Sequence, residues 1–346
     1  VLRTEDGVVL PCQRSEQAPA TVTFILDRLD AGAVRKAVIE SGNPSAACAV
    51  QLDHVAGDRV DITVGRRLFS SYHYASRWAR PFMMPLNGPG GNTVTRSFSP
   101  SDAAPAGTDH LHHKSLFVAW GDVNGSDNWS EGEGHGRQEH QTFAALESGP
   151  VFGRIEATNR WVAKDGAPLL DEHRCVTVFG LPDDGRLLDL SVRFVAAYGP
   201  VNFGDTKEGG IASIRVAPEM NAAKDGTIIN AYGGTQEGET WGKRAHWCDY
   251  SGPVAGVTAG IAIFDNPANF RYPTYWHVRN YGLMTANPFG LSHFTGDAKH
   301  NGSHAIPKDA VFTFRYRLYV HAGNTADAGV AGKFLDYVAP PAVVIG

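Results

Sequence analysis

The sequence predicts an all-β fold, a large antiparallel β-sandwich with a short C-terminal helix, on three observations. Its 346 residues include 39 Gly and 20 Pro, residues that are costly inside helices and natural at the turns between strands. Several stretches alternate apolar and polar residues with the period of two that buries one face of a strand. Helical periodicity is persuasive in only one place, near the C-terminus.

Taken in order, the strand candidates are TVTFILDR (21–28), DRVDITVG (58–65), SLFVAW (115–120), VFGRIEATNRWV (151–162), RLLDLSVRFVAA (186–197), VAGVTAGIAIF (254–264) and VFTFRYRLYVH (311–321). In the last, Phe312, Phe314, Tyr316, Leu318 and Val320 point one way, and Thr313, Arg315, Arg317, Tyr319 and His321 the other. Leu188, Leu190, Val192 and Phe194 repeat that pattern in 186–197. Gly, Pro, Asn or Asp separate most of these runs. The helix is the tail TADAGVAGKFLDYVA (325–339), closed by Pro340 and Pro341, with a weaker one over AGAVRKAVI (31–39). Such an order argues against alternating βαβ units. No linker or repeat marks a boundary, so residues 1–346 read as a single domain, with 1–75 as an alternative N-terminal lobe.

A net charge of -5 and a pI near 6.3 lack the basic field of a nucleic-acid binder, and no apolar run reaches bilayer length. Neither nucleic acid nor a membrane is expected as a partner. Cys12, Cys48, Cys175 and Cys248 form no CxxC pair and read as four buried thiols. The opening VLRTEDGVVL has no basic start or cleavage motif. Cytoplasmic and exported placements both stay open, the cytoplasm being preferred. Oligomeric state is not legible.

The chemistry gathers between Asp109 and His140. Five of the 14 histidines lie there: His110, His112 and His113 in DHLHHKSLFVAWGDVNG, and His135 and His140 in SDNWSEGEGHGRQEH. On a strand, His110 and His112 share one face and His113 takes the other. Trp120, Asp122, Arg137 and Glu139 accompany them. Three readings stand open: a divalent metal held by His112, His135 and His140, a metal-free acid–base pocket, and structural histidines. No nucleotide cofactor is expected.

A second cluster, VNFGDTKEGGIASIRV, sets Lys207 and Glu208 before paired glycines that imply a close backbone approach. It reads as a solvated turn or as a pocket wall. A third, FRYPTYWHVRNYGLMTANPFG, supplies Tyr275, His277, Arg279, Asn280 and Asn287. Aromatic faces beside directional hydrogen-bonding groups are the composition of a sugar subsite, the alternative being an aromatic loop over a sheet edge. Arg77, Trp78 and Arg80 precede the histidines and read as lining the same mouth.

The segments ARPFMMPLNGPGG, DHLHHKSLFVAWGDVNG, NWSEGEGHGRQEH, FGDTKEGGIASIRV and RYPTYWHVRNYGLMTANPFG together resemble an uncharacterised bacterial family catalogued as methane oxygenase PmoA. That name implies a membrane-bound copper subunit, which a chain with no bilayer-length apolar run does not fit. The resemblance implies an association with sugar dehydrogenases and epimerases, and a fold similar to the galactose-mutarotase supersandwich. The expectation is a carbohydrate-active enzyme acting on a glycoside or an oxidised, 3-keto sugar by hydrolysis, elimination or epimerisation. His112, His135, His140, Glu139 and Glu208 are its candidate catalytic residues. His110, Trp120, Asp122, Arg137, Lys207, Tyr275, His277, Arg279, Asn280 and Asn287 are its candidate substrate contacts. A non-catalytic sugar-binding protein and a metal-dependent oxygenase are the alternatives.

Overall fold

The computed structural model describes residues 1–15, 21–30, 32–41, 48–97, 109–181 and 185–344. Two eight-stranded sheets, antiparallel throughout, dominate them. The first runs, edge to edge, through Tyr275–Val278, Leu283–Asn287, Gly209–Arg215, Leu116–Trp120, Phe82–Met83, Arg67–His73, Arg59–Val64 and Val50–Val55. The second runs through Arg137–Glu147, Phe152–Val162, Pro168–Phe179, Gly185–Val195, Val311–Ala322, Val257–Asp265, Trp247–Val254 and Thr227–Asn230.

Alternation decides which faces meet. Val60 and Ile62 of the first sheet join Ile155, Val176, Leu190, Phe314 and Leu318 of the second in one continuous core, where each fully buried side chain contributes about 1.5–3 kcal/mol. The expected apolar faces at 188–194 and 312–320 are those that point inward, with Phe312 only partly covered.

A polar network crosses this interior. Glu172, fully buried, pairs with Arg174 and accepts from Trp161 Nε1 at 2.7 Å. Arg174 also donates to the Pro81 carbonyl at 2.9 Å and to Gln138 Oε1 at 3.1 Å. It thereby joins the second sheet to the segment entering Phe82–Met83.

The N-terminal residues form small sheets of their own. Leu2–Thr4 pairs with Val9–Leu10 and Ala37–Ile39, and Cys12–Ser15 pairs with Thr21–Phe24. Gln13 docks them: its Oε1 accepts from the backbone N–H groups of Val151 and Phe152, each at 3.1 Å. The helix expected over 31–39 is a strand at Ala37–Ile39, because the exposed edge of Leu2–Thr4 offers it a ladder; Ala31 lies outside the described residues.

The C-terminal helix, Val330–Val338, starts five residues later than expected and lays Val330 and Phe334 on Trp247, Phe264 and Tyr319 of the second sheet. Of the four cysteines only Cys248 is buried, while Cys48 is exposed. No helix among the described residues is long and apolar enough to cross a membrane.

Candidate functional site

The strand Leu116–Trp120 sits centrally in the first sheet, between Phe82–Met83 and Gly209–Arg215, so whatever precedes it is delivered to one end of the sandwich. The histidine segment is delivered there as a tight turn rather than as a strand. His110 has φ +50° and its carbonyl accepts from the His113 N–H at 2.9 Å. The strand-based sorting of His110 and His112 onto one face therefore does not hold.

Arg96 pins this turn by donating to the carbonyls of Asp109, His110 and His113 at 2.9, 2.7 and 3.0 Å. Arg215, on the neighbouring strand, donates to Asp109 Oδ2 at 2.7 Å and meets His113 Nδ1 at 3.2 Å. A guanidinium can only donate, so His113 Nδ1 accepts and that imidazole is neutral.

Beside the turn opens a cleft of about 580 Å³, lined by Arg77, Trp78, His110, His112, Lys114 and Glu131 among others. Its floor is charged. Lys114, almost fully buried, meets Glu131 Oε2 at 2.8 Å, and the equally buried Arg80 lies 3.4 Å from Glu131 Oε1. Arg80 also donates to the carbonyls of Trp129 and His112 at 2.7 and 3.2 Å. Burial raises the Glu131 pKa, but these two cations more than offset it and hold the carboxylate below its ordinary value. Burial, reinforced by Arg80, pushes the His112 imidazole down to about 4. It is therefore neutral at pH 7.

Tyr281 packs beside the histidine turn, its ring stacked on that of His110 at 5.1 Å, with Arg215 over the Tyr281 ring at 4.6 Å and Arg279 at 5.7 Å. Glu208 follows, its backbone carbonyl taking the Gly121 N–H at 2.8 Å. The expected close approach is real: a Cβ on Gly209 would stand 2.4 Å from the Trp120 ring, and one on Gly210 would overlap Thr285. Burial raises the Glu208 pKa, yet its ion pair with Lys207 lowers it overall, helped by the fields of His277 and His112. His277, nearly buried, donates from Nδ1 to the Lys207 carbonyl at 2.6 Å and is pushed down to about 4 by burial.

Of the residues expected to act together, His110 and His112 line the cleft, Lys207, Glu208 and the buried His277 form a contact chain of their own, and Arg279 reaches the His110 side only through Tyr281. Others serve the scaffold. Trp120 is fully buried and donates to the Gly204 carbonyl at 3.0 Å. Asp122 accepts from the Gly125 N–H in its own turn. Asn287 spends its amide on the carbonyls of Thr206, Lys207 and Gly209 and its oxygen on the N–H groups of Phe289 and Gly290, so it builds the turn that carries Glu208. Asn280 exchanges hydrogen bonds with Glu237, which also pairs with Arg279. Tyr275 stacks on Phe294.

The second half of the histidine-rich segment leaves the cleft. Arg137 donates to the carbonyls of Ser76 and Trp78, at 2.5 and 2.7 Å, and supports the rim without lining it. Glu139 is exposed on the edge strand opposite Arg160. His135 bonds the neighbouring Gly136 carbonyl, and His140 packs on Tyr74 and Phe143. The metal ligand set His112, His135 and His140 is not assembled, since aromatic packing draws His140 across to Tyr74. Among the described residues no group of three or more His, Cys, Asp or Glu side chains is arranged to hold a metal ion. Lys114, which lines the cleft, and Arg215 and Asp109, which anchor its histidine turn, are the residues that pattern reading passes over; a charge beside a histidine run looks solvated until a sheet covers it.

The depressed imidazoles make stability depend on pH. Folded, His112, His113 and His277 stay neutral well below 6.5, whereas the unfolded chain takes up protons there. Their contribution is complete above about pH 6.5 and is lost as pH falls toward about 4. Urea midpoints should therefore drop between about pH 7.5 and about pH 5, and less so in a His112→Asn/His277→Asn variant. Equal midpoints at the two pH values would contradict this.

Fold and cleft together define a β-sandwich protein with a charged cleft, lined in part by aromatic and imidazole rings, beside the turn that enters Leu116–Trp120. The chain belongs to the family of unknown function DUF6807, whose sequence profile matches residues 59–334, cleft included. No comparison attaches the methane-oxygenase name to it, and no curated protein matches it. Among solved structures it is similar to a heparan sulfate lyase HepC mutant from Pedobacter heparinus, at 12% identity and TM-score 0.28 over 78% of this chain. The chain spans 31% of that lyase's length. It is also similar to a galactose 1-epimerase from Lactobacillus acidophilus NCFM, at 9% identity and TM-score 0.34, covering 81% of this chain and 100% of that one. At these TM-scores neither likeness carries an inference about this chain.

Proposed function

We propose that this protein is a carbohydrate-active enzyme that moves a proton on a glycoside or an oxidised, keto sugar. One observation carries the reading: the neutral imidazole of His112 lines an open cleft over two buried cations, Arg80 and Lys114. When a proton leaves a carbon beside a carbonyl, negative charge develops on the oxygen, and a fixed hydrogen-bonding group above buried cations stabilises it. Glu208, ionised and within the field of His112, is the nearby carboxylate that assists proton transfer to a cleft imidazole. Trp78, which lines the cleft, offers an aromatic surface to a sugar ring, and Arg279 a directional contact to its hydroxyls. The cleft volume lies within the range of small-ligand sites, about 300–1,000 Å³.

The test is to incubate the protein in D2O with methyl glycosides and their 3-keto forms and to follow them by proton NMR. Deuterium entering a ring carbon, an unsaturated product or a released alcohol is the expected outcome. Sugars that bind with neither exchange nor product would establish the non-catalytic sugar-binding alternative instead.

A further inference from the structure

We infer that Asp109 is a positioning residue that holds His110 as the proton-carrying imidazole of the cleft, a step that rests on the reading above. An imidazole that removes a proton from a sugar must become a cation while it holds that proton. His112 is badly placed for that, because Arg80 and Lys114 crowd it. His110 has a carboxylate beside it instead. Its Nδ1 lies 2.9 Å from Asp109 Oδ2, an acceptor whenever that carboxylate is ionised, so Nδ1 carries the hydrogen and Nε2 the lone pair. Nε2 has no hydrogen-bond partner among the described residues, and the side chain, 44% exposed, lines the cleft.

Three further features fix this geometry. The His110 ring lies parallel to two neighbouring rings, 4.8 Å from His113 at 6° and 5.1 Å from Tyr281 at 7°. Its backbone stands in the left-handed region at φ +50°, which a non-glycine residue keeps only when its surroundings hold it, and here Arg96 does so through the carbonyls on either side. Arg215 grips the same Asp109 oxygen at 2.7 Å. Burial raises the Asp109 pKa, but the hydrogen bonds from His110 and Arg215 outweigh it and hold it at about 2.

In the step this implies, His110 Nε2 takes the substrate proton while the electron pair of the broken bond stays on the sugar. The imidazolium keeps its Nδ1–H on Asp109, which remains ionised, and afterwards returns the proton to the departing oxygen or to the ring carbon. Asp109 never touches substrate. It sets the tautomer and stabilises the cation, as carboxylates behind catalytic imidazoles do.

Nitrogen-15 NMR of the histidine-labelled full-length protein tests the positioning without any substrate, His110 being assigned with a His110→Gln variant. At about pH 8 the neutral ring should be protonated on Nδ1 and bare on Nε2, and Asp109→Asn should raise the other tautomer. An Nε2–H tautomer in the wild type overturns the inference, whether or not the variant folds. With a sugar that the wild type turns over, Asp109→Asn should lower kcat about 10- to 100-fold with KM little changed, and Asp109→Glu should recover part of it. Unchanged kcat in both His110→Gln and Asp109→Asn removes His110 from the chemistry while leaving the reading of the cleft intact. A wild type that turns over none of the sugars fails the functional proposal instead, and the tautomer still decides whether Asp109 positions His110.

Discussion

Replacing His112 with Asn is expected to lower turnover about 100- to 1,000-fold, the cost of losing one fixed group at a developing oxyanion. The reasoning begins with what the imidazole does not do. Its ring nitrogens make no hydrogen bond to the protein among the described residues, and its ring contacts are with His110, His113 and Trp129. The fold thus has little invested in it, and the variant should melt within a few degrees of the wild type. What it loses is a neutral, cleft-facing group directly above Lys114, Arg80 and their shared Glu131. Because charge on the sugar oxygen grows only as the proton departs, the loss should fall on kcat with little change in KM. Steady-state kinetics on any sugar the wild type converts would check this. A variant with wild-type kcat would take His112 out of the mechanism.

The largest effect on stability is expected from Glu172→Ala in the middle of the sandwich. Glu172 is fully buried and Arg174 nearly so. Deleting the carboxylate strands a buried guanidinium and leaves Trp161 Nε1 without its acceptor. Breaking a buried pair from one side costs about 3–5 kcal/mol, a large share of the roughly 5–15 kcal/mol by which a domain is stable. Removing both charges in Glu172→Leu/Arg174→Met should be far milder, since the desolvation cost of the ions disappears with them. Urea unfolding of the single and double variants would read this directly. A single variant as stable as the wild type would mean that water reaches Arg174.

Much of the fold is legible in the sequence because one physical rule produces it. Leu188, Leu190, Val192 and Phe194 alternate with polar neighbours because one face of their strand meets the core, and 186–197 and 311–321 are indeed adjacent strands in full register. What fails is local. The residues AGAVRKAVI are acceptable to a helix in isolation, and only the partner strand Leu2–Thr4, distant in sequence, turns their end into β structure.

The candidate site divides in the same way. Clustered histidines and the Lys207–Glu208 turn announce themselves by composition. His140 looks equivalent to His112 in the sequence, and its fate is decided by Tyr74, 66 positions earlier and just past the strand Arg67–His73 of the first sheet. Lys114 escapes notice for the converse reason, and Arg80 is read at the mouth of the cleft rather than buried beneath it. Nothing in HHKSLF or WARPF tells of the burial that turns two ordinary surface-type cations into the floor of a cleft.

Arg137 belongs to the edge strand of the second sheet, yet it grips the carbonyls of Ser76 and Trp78, which carry a wall of a cleft built from the first. The rim is therefore owned by both layers. Under the proposed function, a sugar seated against Trp78 would act as a clasp between them: whatever it gained by binding would also be resistance to the two sheets parting at that end. Occupancy of the site and cohesion of the sandwich are then linked quantities, and each can be read out through the other.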